Sequence, residues 1–270
     1  MRVYISADME GVSGVVDFAQ TSIKQKEYER ARALMTGEVN AAIEGALAAG
    51  ATDVLVNDAH GSMRNIVLED LNPVAQLISG APKPLSMMQG IDEGCDVALF
   101  VGYHAQAGSA FGTLNHTFSG RVHSVVMNDK PVGELGLNAA LAGHFGVPVV
   151  LVTGDQTLVE EARSILPDVE TVAVKRAYGT RAARCLTPGT VHRLIKEAAT
   201  QAVQRGGACF VVSSPITLRV GFQQSVHAEM AELVPGVRRL DGRTIEFTHE
   251  DMPTLYRAWR AMVGLAILAG

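Results

Sequence analysis

Three short apolar runs each lead into side chains that bind metal ions. The runs and the donors that follow them are residues 3–6 before Asp8 and Glu10, residues 54–56 before His60, and residues 97–101 before His104. Apolar runs of this length are typical of buried strands. The carboxyl ends of neighbouring parallel strands share one edge of a sheet, where ligands bind in open α/β folds. The sequence therefore predicts two carboxylates and two imidazoles around one crevice, a donor set that suits zinc, with cobalt or manganese as alternatives.

The order of the predicted elements indicates an α/β fold. Strand and helix patterns alternate in the first half, including a long helix over residues 26–49, which predicts a mainly parallel sheet sandwiched by helices. The later half is more mixed, with strands expected at residues 208–212 and 217–222. We expect a second, mixed α+β subdomain there, within about residues 176–250, although no linker marks a boundary and residues 1–270 form one unit.

The composition limits the partners and the compartment. The net charge is −5 with no block of Lys or Arg, which argues against a nucleic-acid surface. The apolar stretch at residues 261–270 is shorter than the roughly 20 residues that cross a bilayer, so no membrane partner is expected. The amino terminus lacks the pattern of a signal peptide, and the three cysteines are scattered without a CxxC pair. We therefore expect a reduced, cytoplasmic setting.

The two acidic residues after the first run lie two positions apart. In extended backbone, Asp8 and Glu10 would point to the same side, as two ligands of one metal site would. The alternative is that both are solvated acidic residues of a loop. His60 or His104 alone would more often be a turn or core histidine. The joint occurrence of acidic and histidine donors at three strand ends favours a metal site. In that site, Asp58 would orient the His60 ring by a hydrogen bond.

Two further residues have both a functional and a structural interpretation. Glu134 opens a predicted helix, where a carboxylate is favoured by the helix dipole, so the residues alone indicate a cap. His116 lies in a loop rich in Gly, Ala, Ser and Thr after the third run, and it is a candidate acid, base, nucleophile or charge stabiliser. His123 competes for this role but falls in a regular strand pattern. We therefore place His116 first.

Four segments of the chain carry a pattern that goes beyond these separate donors. They are residues 6–11 (SADMEG), 56–60 (VNDAH), 102–105 (GYHA) and 128–138 (NDKPVGELGLN). Together and in this order they resemble the zinc D-aminopeptidases of the DppA type, the M55 peptidase family. The agreement covers most of the chain and is weaker after about Arg181. The resemblance implies an α/β sandwich of two intertwined subdomains and a homodecameric ring whose active sites face an inner channel.

The same resemblance implies two zinc ions per subunit and assigns residues to them. By motif position, Asp8 bridges the ions, and the remaining ligands are Glu10, His60, His104 and Glu134. His116 matches the family's catalytic histidine, although this chain has one residue more between His104 and His116 than the family pattern. The assignment of Glu134 as a ligand thus comes from the family and not from spacing.

These expectations combine into a metal-dependent aminopeptidase. It would remove the amino-terminal residue of short peptides, by family resemblance a D-residue as in D-alanyl peptides, using a hydroxide activated by two metal ions. The residues do not determine chirality, so an L-selective or broad aminopeptidase stays open. Another binuclear-metal hydrolase, such as a phosphoesterase, would favour more Lys and Arg near the donors. A non-catalytic peptide-binding protein associated with transport would keep a closed structural metal site, whereas five donors shared by two ions leave room for water.

Overall fold

The chain alternates strands and helices in a computed structural model that describes residues 1–269. The strands are β1 (Arg2–Ala7), β2 (Asp53–Asp58), β3 (Ala75–Ile78), β4 (Val97–Val101), β5 (Val122–Met127), β6 (Lys130–Pro131), β7 (Val149–Asp155), β8 (Glu170–Gly179), β9 (Ala182–Cys185), β10 (Ile216–Phe222), β11 (Arg238–Arg239) and β12 (Thr244–His249). The helices are α1 (Phe18–Thr21), α2 (Tyr28–Ala48), α3 (Glu134–His144), α4 (Gln156–Ile165), α5 (Pro188–Arg205), α6 (Ser225–Ala231) and α7 (Met252–Leu268). Short 3₁₀ turns lie at Leu68–Asp70 and Ser86–Met88.

The first sheet has the strand order β3-β2-β1-β4-β7-β8-β9. Every pair in it is parallel except β8 with β9. From β1 the chain moves outward to β2 and β3, and then crosses to the other side of β1 to form β4. This reversal makes the ends of β1 and β4 a topological switch point, the place where ligands bind in open α/β sheets. The predicted adjacency of the three apolar runs is confirmed.

Both faces of the first sheet are covered, which explains why its central strands are apolar throughout. Val3 and Ile5 point to one face and pack with residues of α2 and α5. Tyr4 and Phe100 point to the opposite face and join the core formed with α3, α4 and α7. Parallel strands buried on both sides read as continuous apolar runs. The predicted mainly parallel sheet between helices is therefore confirmed.

A second sheet is antiparallel, with the order β11-β12-β10-β5-β6. Its strands come from two separate parts of the chain, because β5 and β6 lie in sequence between β4 and β7, whereas β10 to β12 follow β9. Residues of β5, β10 and β12 share one core with the first sheet and α7. The chain therefore leaves the first sheet and returns to it, and the two sheets are interlocked. A subdomain limit at about residues 176–250 stays a prediction.

One predicted strand is wrong. Residues 208–212 belong to no strand, although β10 forms where the neighbouring strand was expected. The backbone of Phe210 instead passes so close to Gly143 in α3 that a side chain on that glycine would collide with the Phe210 carbonyl. Val211 is 70% exposed, so the apolar pattern here reflects a loop packed over a helix end. Within residues 1–269, no helix has both the length and the apolar character needed to cross a membrane.

Candidate metal centre

Asp8 and Glu10 lie where the chain leaves β1 and passes over the end of β4. The N–H of Asp8 donates to the Val101 carbonyl, and that of Gly11 donates to the Gly102 carbonyl, both at 2.8 Å. A Cβ atom at Gly11 would lie 1.8 Å from the Tyr103 carbonyl oxygen, so only glycine allows this approach. The close crossing brings both carboxylates against the segment that follows β4, and each residue is only 3% exposed.

His60 follows β2 and faces these two carboxylates. Its Nδ1 atom lies 2.8 Å from Glu10 Oε2 and 3.3 Å from Asp8 Oδ1. Its Nε2 atom lies 2.9 Å from the carbonyl of Thr21, the last residue of α1. The short helix α1 is itself fixed by a capping box between Asp17 and Gln20. The Thr21 carbonyl therefore accepts the Nε2 proton, so that Nδ1, which faces the carboxylates, is the nitrogen that a metal ion would bind in place of its proton.

His104 follows β4 and approaches the same carboxylate from the other side. Its Nδ1 atom lies 3.0 Å from the Ala105 carbonyl. Its Nε2 atom lies 3.4 Å from Asp8 Oδ2 and 3.4 Å from Glu134 Oε1. The two oxygens of Asp8 thus face two different imidazoles, His60 through Oδ1 and His104 through Oδ2. This is the geometry expected of a carboxylate shared between two sites.

Glu134 lies in the first turn of α3 but does not cap it. The helix makes no side-chain cap hydrogen bond at its amino end. Glu134 Oε1 instead accepts a 2.6 Å hydrogen bond from the N–H of Phe118 in the loop after β4. The carboxylate is 4% exposed and faces His104. The carboxylate thus occupies the first helical turn, where the helix dipole favours it as the residues alone indicated, and it also turns into the cluster.

His116 stacks on His104, with ring centroids 4.1 Å apart and planes 11° from parallel. Its Nδ1 atom lies 2.9 Å from the Leu114 carbonyl, and its Nε2 atom lies 3.8 Å from Glu134 Oε1. The side chain is 18% exposed, more than any of the donors. Burial and the neighbouring His104 lower the pKa of His116. His123, the competing histidine, is exposed on β5.

Burial and mutual attraction act against each other on the charges of the cluster. Burial, and then the neighbouring Glu10, raise the pKa of Asp8 to about 7. Burial opposes the charging of His60, yet Glu10 and Asp8 raise its pKa well above the usual range. Glu134 and Asp8 likewise outweigh burial at His104 and raise its pKa to about 10. In the protein alone, positive charge on the imidazoles balances the carboxylates, and a divalent cation would take over that role.

The donor set fits a divalent cation. His104 Nε2 is buried without a hydrogen bond, and so is Glu10 Oε2 although it lies near His60. Two groups have donor atoms within 4.8 Å of one another, namely Asp8, Glu10 and His104, and His104, His116 and Glu134. Oxygen and nitrogen donors of this kind are the usual ligands of zinc. The second ring nitrogen of each histidine lies near a backbone carbonyl, an arrangement that is typical of metal-binding histidines.

Several contacts around the cluster were not predicted. Asp58 does not orient His60: its carboxylate accepts hydrogen bonds from the backbone and side chain of Asn65 and from the N–H of Ile66. Lys175 is 2% exposed, and its ammonium donates to the carbonyls of Glu10, Val12 and Val15 at 2.5, 3.0 and 2.5 Å. No local pattern pointed to this lysine, because its partners are at least 160 residues away in sequence.

Known proteins are similar to this chain in sequence and in fold. The family model described as Peptidase_M55, D-aminopeptidase, matches residues 1–261. A D-aminopeptidase of Bacillus subtilis strain 168 is 41% identical over 270 residues, which cover 99% of this chain and 98% of the relative. A solved structure, the Zn-dependent D-aminopeptidase DppA from Bacillus subtilis, a self-compartmentalizing protease, is similar with a TM-score of 0.96 and 40% identity, covering 99% of this chain and 98% of the other. The chain belongs to the M55 family of D-aminopeptidases.

Proposed function

We propose that this protein is a zinc-dependent aminopeptidase that removes an amino-terminal D-residue from short peptides, such as D-alanyl peptides. The observation that carries the proposal is a buried cluster of carboxylates and imidazoles at the switch point of the sheet. It occurs in a chain 41% identical to a D-aminopeptidase. The preference for a D-residue rests on that relative, because the donors themselves carry no handedness.

Five residues are the proposed ligands of two zinc ions: Asp8, Glu10, His60, His104 and Glu134. Asp8 is the shared ligand, because its two oxygens face His60 and His104 separately. When bound, zinc would polarise the scissile carbonyl and lower the pKa of a water molecule. The protein residues hold this arrangement in a buried setting, since the exposed fractions of the five residues lie between 2% and 8%.

His116 is the proposed catalytic acid–base. The Leu114 carbonyl accepts from its Nδ1 atom, which leaves the Nε2 lone pair free at the edge of the cluster. Its lowered pKa keeps the ring neutral near pH 7, so that Nε2 can accept a proton from the attacking water. The imidazolium then donates that proton to the leaving amine, and the ring returns to its starting state.

The proposal extends to assembly. The similar solved structure is described as a self-compartmentalizing protease. We propose that this chain also forms a closed homo-oligomeric ring, with ten subunits by the family resemblance. Light scattering on the purified protein measures this directly, and a monomer would contradict it.

Hydrolysis of three chromogenic substrates tests the function. The zinc-loaded protein should release nitroaniline from D-alanine p-nitroanilide, much less from the L-isomer, and no nitrophenol from p-nitrophenyl phosphate. EDTA should abolish turnover, and zinc should restore it. Asp8→Asn should lose activity, whereas the control Asp92→Asn, at an exposed residue before β4, should keep it. Preference for the L-isomer or the phosphate ester would replace the proposal, and peptide binding without turnover would indicate a binding protein.

A further inference from the structure

Behind the cluster, every segment that carries a proposed ligand also contributes a buried polar side chain with no exposed surface. These side chains are Ser6, two residues before Asp8; Asn57, three before His60; Tyr103, next to His104; and Asn138, one helical turn after Glu134. None of them is a proposed ligand. Hydrogen bonds join them, either directly or through the carbonyl of Met87.

The first meeting point is the carbonyl of Met87, in the 3₁₀ turn at Ser86–Met88. Ser6 Oγ donates to this carbonyl at 2.8 Å, and Asn57 Nδ2 donates to it at 2.7 Å. The same Ser6 hydroxyl lies 2.6 Å from the hydroxyl of Tyr103. Because the Ser6 proton is already given to Met87, the Tyr103 hydroxyl is the donor in this pair.

The second meeting point is the Tyr103 hydroxyl itself. It accepts a 2.9 Å hydrogen bond from Asn138 Nδ2, and Asn138 Oδ1 accepts a 2.7 Å hydrogen bond from the Tyr256 hydroxyl in α7. All hydrogen bonds in this series therefore donate in the same direction, from Tyr256 through Asn138, Tyr103 and Ser6 to the Met87 carbonyl. Asn138 Nδ2 thereby joins α3 to the segment after β4, and it also lies 3.5 Å from Met87 Sδ in the 3₁₀ turn.

The sheet and the helix differ in what fixes their ligands. Asp8, His60 and His104 follow strands whose relative positions are set by the hydrogen-bonded ladders of β1 with β2 and β4. Glu134 lies on α3, which belongs to no ladder. Residues four apart lie on the same helix face, so Asn138 anchors the face that carries Glu134.

We propose that the hydrogen bond between Asn138 and Tyr103 is a positioning contact that sets the distance of Glu134 from Asp8 and His104. Through that distance it determines how tightly the ion held by Glu134 is bound. Partners that orient metal ligands from behind typically contribute about 10- to 100-fold to metal affinity. This inference rests on the proposed metal centre and adds residues to it.

Tyr103→Phe and Tyr4→Phe form a matched pair for the test. Both tyrosines have no exposed surface, and each substitution removes one buried hydroxyl. The Tyr4 hydroxyl lies 3.0 Å from the Gln89 carbonyl and 3.4 Å from the Met87 carbonyl, so it borders the same turn, but it makes no hydrogen bond to Asn138 or Tyr103. Zinc binding to EDTA-stripped protein is measured by titration against a chelator of known affinity, together with the thermal unfolding temperature of the stripped protein.

The expected result is a loss of about tenfold in affinity for the weaker of two zinc ions in Tyr103→Phe and no change in Tyr4→Phe. Both variants should unfold at a somewhat lower temperature, because each loses a buried hydrogen bond. With cobalt in place of zinc, the visible absorption spectrum should change only in Tyr103→Phe. Equal zinc affinities in the two variants would overturn the positioning role and leave the proposed function intact.

A double-mutant cycle gives an independent measurement. Asn138→Ala should weaken the binding of the same zinc ion. Adding Tyr103→Phe to Asn138→Ala should weaken that binding no further, because the hydrogen bond between Asn138 and Tyr103 is already lost in the single variant. Additive losses would show separate effects and overturn the proposal. A wild-type protein that binds no zinc would overturn the positioning role and the proposed function together.

Discussion

Replacing Glu38 with glutamine should remove a specific part of the pH dependence of stability. Glu38 lies in the middle of α2 and is 2% exposed. One carboxylate oxygen accepts a 2.8 Å hydrogen bond from the N–H of Ser13, and the other is buried without a partner. Burial raises the pKa of Glu38 to about 7, although the Ser13 N–H and the charge of Lys175 act in the opposite direction.

The sign and size of the effect follow from this pKa. The folded protein holds the Glu38 proton more tightly than the unfolded chain, in which the pKa is 4.5. The contribution of protonated Glu38 to the free energy of unfolding is complete below pH 4.5. It is lost as the pH rises to about 7, because Glu38 ionises at a lower pH in the unfolded chain than in the folded protein. At about 1.4 kcal/mol per pH unit, the loss is about 3 kcal/mol. Burial lowers the pKa of Lys175 only to about 8, so this lysine stays protonated across the window.

Urea unfolding of the metal-free protein between pH 4.5 and 7.5 measures the effect. Glutamine keeps an oxygen for the Ser13 N–H but does not titrate. The free energy of unfolding of the wild type minus that of Glu38→Gln should therefore fall by about 3 kcal/mol as the pH rises. Glu44→Gln, at a half-exposed residue of the same helix paired with Lys196, is the control, since such pairs contribute about 0–1 kcal/mol. A difference that stays constant with pH would refute the reasoning.

Three further substitutions test the site and the core. His116→Asn should reduce turnover by about 10²- to 10⁴-fold at unchanged zinc content, and undiminished turnover would remove this histidine from the mechanism. Trp259→Ala should cost about 3–5 kcal/mol in urea unfolding, because the ring has no exposed surface and packs against Phe118, and a loss below about 1 kcal/mol would contradict this. Gly11→Ala should lower the zinc content or prevent folding, since its Cβ would meet the Tyr103 carbonyl, and a stable, zinc-replete variant would count against that contact.

The sheet and its strand-end donors could be predicted because they depend on local patterns. Strands buried on both faces leave continuous apolar runs, and parallel neighbours bring their ends together. Asp8, His60 and His104 therefore meet as expected. The same reasoning failed at residues 208–212, where an apolar run forms a loop that passes close to Gly143 in α3.

Contacts between distant parts of the chain could not be derived from patterns. Glu134 reaches the cluster only because the chain passes through β5 and β6 before α3. The sequence spacing between Glu134 and the other donors does not reveal that path. Its candidacy came from family resemblance. Lys175 lies 165 residues from Glu10 in sequence, and its role depends on backbone carbonyls, which every residue has. Side-chain identity carries no information about such a partner.

The position of α7 has a consequence for how the protein is made. All five proposed ligands occur by residue 134, so a ribosome delivers them early. Tyr256 and Trp259, which close the interior behind them, emerge more than a hundred residues later. A growing polypeptide thus carries the donors long before the wall that supports them. Competence to cut peptides should therefore arise only after residues 256–259 have been synthesised.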